Sequence, residues 1–183
     1  ALREMMAAEV EPSTEELWKR FIKHLRKSIR VIARGLDFHL LHKHKEFPHL
    51  VKDLFCHGPV EKGRDVSNNS VDYYNMCVDG AGLATAADSF AAIEEKIEKE
   101  GRITWEELRE HLENNWSGEK GEEARLLMKN GPRFGSGGSR GDEYARAISE
   151  KFTELVTERR TPDGYRMVPG LFSWLDTVRM GEM

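Results

Sequence analysis

Residues 71–93 read VDYYNMCVDGAGLATAADSFAAI, and the fold class turns on where this stretch changes its period. From Val71 to Val78 it is aromatic and β-branched, with Asn68-Asn69 before it and Asp79-Gly80 after it, which is the composition and punctuation of one buried strand. From Leu83 the apolar residues fall at helical spacing. Ala86, Ala87, Phe90, Ala91, Ile93 and Ile97 form a small-residue face that lets a helix pack close to the strand before it.

Working outward, the N-terminal flank is helical. Ser13-Thr14-Glu15-Glu16 is a capping box, and Leu17, Phe21, Leu25, Ile29, Ile32 and Leu36 follow at helical spacing, so a long amphipathic helix is expected to about Leu41. Pro48 opens a second helix whose apolar face is Leu50, Val51, Leu54 and Phe55, and the run from Gly58 to Gly63 ends it. On the C-terminal flank Thr104-Trp105-Glu106-Glu107 is a second capping box, and further helices are expected at about 120–130 and 142–158. The glycine-rich run Gly135 to Gly141 has Arg140 where a dinucleotide fingerprint needs glycine, and it has no strand before it. It reads as a flexible connection, with Asp142 capping the next helix. After Pro169-Gly170, Leu171 to Val178 returns to strand composition. The chain therefore divides into a helical part (13–64), a strand with helices (71–130), a glycine-rich connection (131–141) and a final helix and strand (142–183). Two strands so far apart in sequence are not expected to make a sheet by themselves; they look like parts of a larger barrel.

Composition narrows the function classes. Hydrophobic residues make up 39% of the 183 and charged residues 33%, with a net charge of −4, which suits a globular chain and implies no nucleic-acid partner. The basic cluster Lys19, Arg20, Lys23, Arg26, Lys27, Arg30 has the spacing of a helix's solvated side. No apolar run is long enough to span a bilayer and no secretory signal is present, so no membrane partner and a cytoplasmic location are expected. Cys56 and Cys77 are too few for a disulfide framework or a zinc site. His39 and His42 lie three apart on a helix without a third ligand at matching spacing, so no metal is expected. These histidines suit a helix C-terminus, whose dipole favours them. Arg140-Gly141-Asp142 spells an integrin tripeptide, which in an intracellular chain is chance. Both ends, at Ala1 and at Met183, read as cut.

Three ordered stretches resemble the pyruvate formate-lyase-like branch of the glycyl radical enzymes. Pro48 through Val60-Glu61-Lys62-Gly63-Arg64-Asp65 is similar to a Pro-led helix ending in the family's "(I/V)EKGKD" turn, with Arg64 in place of Lys. Tyr74-Asn75, then Gly82-Leu83-Ala84 and Ala87 to Ile93, resembles "YN…GLA..ADSLAAIK", with the part after Asn75 about one residue shorter. Pro132 to Gly135, and later Pro169-Gly170-Leu171-Phe172-Ser173, are similar to "PKYGN" and "RPGLYS". The resemblance runs roughly from residue 13 to the end. It implies a mainly α chain with two short strands, a partial segment of the family's ten-stranded α/β barrel.

The resemblance also implies the chemistry. In such enzymes a glycyl radical takes hydrogen from a cysteine, and the resulting thiyl radical attacks a small-molecule substrate to cleave C–C or C–heteroatom bonds. The radical is installed by a separate radical S-adenosylmethionine activating enzyme; no bound cofactor is needed for turnover, and the parent is expected to be a homodimer. The cysteine sits in a "GC(V/I)xP"-like loop and the glycine in an "RVxGY"-like loop, and neither motif occurs in this sequence, so the chain alone is expected to be inactive. Cys77-Val78-Asp79 echoes "C(V/I)E", yet it lies in the later "YN…GLA" strand. Cys77 stays open as catalytic thiol, barrel-wall residue or core thiol, and Cys56 reads as structural. By strand alternation Tyr73, Asn75 and Cys77 share one face, and Phe172, Trp174 and Asp176 another. Asn75, Cys77 and Asp176 are the substrate-pocket residues this implies. The rival reading is a helical interaction or scaffold domain without catalysis.

Overall fold

The computed structural model describes residues 1–172. In chain order the elements are α1 (Leu2–Met6), α2 (Thr14–Glu46), α3 (Leu50–Asp53), α4 (Pro59–Lys62), β1 (Asn75–Gly80), α5 (Leu83–Ile93), α6 (Trp105–Glu113), α7 (Gly118–Lys129), α8 (Arg140–Thr157) and β2 (Arg166–Leu171). They form two compact units. One takes Ala1–Leu25 and Ala81–Lys151 with Leu171 and Phe172; the other takes Arg26–Gly80 and Phe152–Gly170.

The first unit is helical. Its core gathers Met5 of α1, Leu17 of α2, Ala87, Phe90 and Ile93 of α5, Leu108 of α6, and Ala145 and Ile148 of α8, with Ile97 and Ile103 between α5 and α6. Phe90 is the centre of an aromatic cluster: the Trp18 and Phe21 rings meet it edge-on at 5.5 Å, and the Tyr144 ring stacks on it at 5.2 Å. The small residues expected on α5 do pack, since Ala87 and Ala91 are both buried. Ala87 belongs to this helical core.

Helix starts follow the local chemistry. The amide of Glu16 donates to Ser13 Oγ (3.1 Å), and the amide of Thr14 donates to Glu98 Oε1 (2.6 Å), a distant partner that no local pattern announces. At Thr104 both halves of the capping box form: the Glu107 amide donates to the Thr104 hydroxyl, and the Thr104 amide donates to the Glu107 carboxylate. The start of α8 departs from expectation. Ser139, not Asp142, is the capping residue; its Oγ accepts from the Asp142 amide (3.1 Å), and the Asp142 carboxylate accepts from the amides of Ser139 (2.9 Å) and Gly135 (2.7 Å). The run Ser139-Arg140-Gly141-Asp142 is thus a capping box with an acidic third position, and it ties the glycine-rich connection to α8.

The second unit carries the sheet and corrects several expectations. β1 and β2 hydrogen-bond to each other as a two-stranded parallel sheet, so among the described residues the two strands do pair. β1 spans 75–80 rather than 71–78. The chain before it is held in a turn by the Val66–Ser70 hydrogen bonds, where Asn69 is left-handed (φ 56°), and by Lys62, whose Nζ donates to Ser70 O (2.8 Å). β2 begins five residues earlier than expected and runs through Pro169-Gly170, after which the sequence puts the start of the strand. A proline is tolerated on a strand with a free edge. Gly170 lets the Asp79 carboxylate lie close, since a Cβ there would fall 2.1 Å from Asp79 Oδ1 and the carboxylate would have to turn away. Of the segment expected as a strand to Val178, residues 173–178 lie outside the described residues.

The helix expected from Pro48 is only one turn, α3, and its apolar residues Leu50, Val51, Leu54 and Phe55 are exposed rather than packed. The Gly58 to Gly63 run is itself one helical turn, α4, rather than a simple break. α2 continues five residues past Leu41 to Glu46; Ile32 is exposed, and Ala33 and Leu40 are buried in this half of the helix. No helix among the described residues is long and apolar enough to cross a membrane.

Candidate functional site at the outward face of β1

Along β1 the side chains alternate. Met76 and Val78 are buried, while Asn75, Cys77 and Asp79 point outward. Alternate Cα atoms in a strand lie about 6.6 Å apart, so an amide, a thiol and a carboxylate stand in a row on one face. Cys77 is a free thiol exposed in this chain, and the buried positions of β1 are its neighbours Met76 and Val78. Cys56 is partly buried at the end of the α3 turn. Among the described residues neither Asn75 nor Cys77 has a side-chain hydrogen-bond partner, so no base stands beside the thiol as in an ionic nucleophile pair. Asp176, the third pocket residue expected, lies outside the described residues.

The strand is positioned by a hydrogen-bonded hub at Asp65. Its carboxylate accepts from the amides of His49 (2.5 Å) and Ser67 (2.8 Å) and from the Ser67 hydroxyl (2.5 Å), while its carbonyl accepts from Ser70 Oγ (2.9 Å). Burial acts to raise its pKa, but the Ser67 and His49 donors outweigh burial and hold the carboxyl at about 2, below the ordinary 3.8. Asp53 adds a parallel contact, accepting from the Val66 amide (2.7 Å). Nearby, the Tyr74 ring meets the Tyr165 ring edge-on at 6.2 Å, and its phenol pKa is raised by burial and by the Asp65 charge.

Each residue of the Val60–Asp65 turn except Val60 has a geometric task. Glu61 Oε2 accepts from the Gly58 amide (2.9 Å), Lys62 reaches Ser70 O, and Gly63 ends α4 with φ 60° while the Arg64 amide donates to Pro59 O (3.1 Å). Gly58 sits at φ 106°, and a Cβ there would lie 2.1 Å from Ser70 O, so no other residue fits without moving the turn. The turn delivers the chain to β1 in one orientation.

In the helical unit the second hub is Glu94. It accepts from Arg140 Nε (2.8 Å) and the Tyr144 hydroxyl (2.5 Å) and pairs with Lys99 Nζ (2.7 Å). Burial acts to raise its pKa, yet these donors hold it at about 2, below 4.5, and Tyr144 is pushed up to about 12 by burial and by the Glu94 carboxylate. Asp88 anchors the Pro132-to-Gly135 stretch, accepting from the Phe134 amide (2.8 Å). Sequence patterns singled out neither Glu94 nor the role of Asp88. The expected glycine-rich connection is fixed from both ends by Asp88 and Asp142. His44 Nδ1 lies 3.3 Å from Leu40 O near the end of α2, and the His42 ring packs on Phe38. Among the described residues no three His, Cys, Asp or Glu side chains gather as a metal site.

The family model described as pyruvate formate lyase-like matches residues 4–181. The chain belongs to the pyruvate formate lyase-like family of glycyl radical enzymes. Among curated family members it is 27% identical over 119 residues to (2S)-3-sulfopropanediol dehydratase of Klebsiella oxytoca, covering 65% of this chain and 14% of that protein. It is 25% identical over 154 residues to trans-4-hydroxy-L-proline dehydratase of Clostridioides difficile, covering 83% and 19%. The fold is similar to that of the glycerol-bound B12-independent glycerol dehydratase of Clostridium butyricum, with a TM-score of 0.76 and 22% identity over 92% of this chain and 21% of that one. The chain thus spans about a fifth or less of the length of these pyruvate formate lyase-like relatives.

Proposed function

We propose that this chain is a wall segment of a larger glycyl radical lyase or dehydratase, with β1 and β2 as two strands of its barrel and the helices outside them. The observation that carries the reading is the family match over residues 4–181, in which the Val60–Asp65 turn forms a folded support for β1. The radical glycine and the relay cysteine belong to other segments of the whole polypeptide, so the 183-residue chain turns over no substrate by itself. The pairing of β1 with β2 supports the barrel reading over a helical scaffold without catalysis.

In the whole enzyme the outward face of β1 looks into the substrate cavity. Asn75 supplies an amide that orients a polar small-molecule substrate, and Cys77 is a wall residue beside it rather than the relay thiol. Asp176 is assigned to the same cavity. The relay needs sulfur, glycine and substrate in contact inside a dry cavity, which the rest of the barrel provides. Cleavage of a C–C or C–heteroatom bond, a homodimeric cytoplasmic parent and activation by a radical S-adenosylmethionine enzyme complete the reading. Turnover then needs no bound cofactor beyond the installed radical.

The test is made in the whole, anaerobically activated polypeptide, with hydroxylated and carboxylated small molecules as substrates. Cys77→Ser is expected to keep turnover within about threefold, and Asn75→Ala to lower kcat/KM about tenfold with the radical yield unchanged. Loss of turnover in Cys77→Ser with the glycyl radical retained would assign the relay to Cys77 and overturn the assignment.

A further inference from the structure

The C-terminal half of α2 is apolar on two opposite sides. Ile29, Ala33 and Leu40 are buried, as expected for one core-facing stripe. On the other side Val31, Gly35, Phe38 and Leu41 fall on one strip by helical spacing with Arg34 between Leu41 and Phe38, and the three apolar side chains are exposed, Phe38 to 67%. Further along the chain Phe47, Leu50, Val51, Leu54 and Phe55 are exposed as well, Phe55 to 85%. A helix apolar on both sides is a helix between two layers, and only one layer is present among the described residues.

Gly35 sharpens the point. It is a poor residue for a helix interior, and a Cβ there would meet nothing within 4 Å, so the unit itself does not explain it. Flanked by Val31 and Phe38, it leaves a hollow between large side chains, the shape that accepts a ridge from a facing helix. The relatives also show how much chain is available, since this sequence covers 14% to 19% of the curated dehydratases it matches.

We infer that the Val31–Gly35–Phe38–Leu41 face of α2 is a helix-packing surface, covered in the whole protein by another helical segment of the same polypeptide. The inference rests on the reading of the chain as part of a larger enzyme. A second copy of the protein is the competing occupant, and the experiment separates the two.

Val31→Cys and Leu41→Cys are made in the polypeptide encoded by the whole reading frame, and maleimide labelling at each position is timed by peptide mass spectrometry, native and unfolded in guanidinium. Labelling in the native protein is expected to be slower than in the unfolded protein by about tenfold or more, at every protein concentration. Native labelling as fast as in the unfolded protein would overturn the inference. So would protection that disappears on dilution to monomer, which assigns the face to a second copy. The enzyme reading is scored separately by the glycyl radical signal of the same preparation. Protection without a radical leaves the packing standing and removes the enzyme reading, and a radical with fast labelling does the reverse.

Discussion

At the residue scale, Asp65 and Glu94 hold most of the polar order. Both carboxylates are held at about 2 by several donors each, so both favour the folded state in the ionised form. A carboxyl whose folded pKa is depressed contributes stability above its unfolded pKa and loses it as pH falls through the folded one. For Asp65 that window runs from 3.8 down to about 2. Asp65→Asn keeps the shape but loses acceptor capacity at one oxygen, and it is expected to cost about 1–3 kcal/mol near neutral pH. Urea denaturation of this chain and the variant at pH 7 and pH 3 checks it: the gap between them should narrow at the lower pH. A gap of the same size at both would show that Asp65 acts through packing rather than charge.

At the element scale, the Ser139-to-Asp142 box is the clearest device. Ser139→Ala removes the acceptor for the Asp142 amide and is expected to destabilise by about 1 kcal/mol, read as a lower thermal midpoint. Elements set by nearby residues were legible in the sequence: α2, α6, α7 and α8 lie within a few residues of where caps and periodicity put them. The strands were less legible because their ends are set by partners far away. β1 starts late since Lys62 and the Val66–Ser70 turn hold the chain before it, and β2 passes through Pro169-Gly170 because its pairing with β1, a partner far away in sequence, sets its extent. The capping serine of α8 was readable, because Ser139 stands three residues before Asp142; the glycines around it drew the reading toward a loose connection. Asn75 and Cys77 share a face as alternation requires, whereas the hubs at Asp65 and Glu94 also reach His49, Arg140 and Tyr144, which no short spacing links to them.

At the scale of the whole molecule, the family match reaches almost from end to end of the chain while the chain reaches only a fifth or less of its relatives. The two units fit that proportion differently. The helical unit closes its own core around Phe90, whereas the unit with the sheet leaves Phe38, Phe47 and Phe55 exposed and carries an outward strand face on which Asn75 and Cys77 have no side-chain hydrogen-bond partner among the described residues. The central claim is that this chain is barrel wall and that the radical resides elsewhere in the polypeptide. Electron paramagnetic resonance after anaerobic incubation with a family activating enzyme tests it most directly. The whole polypeptide is expected to give a glycyl radical doublet and the 183-residue chain none; a doublet from the chain alone would contradict the account.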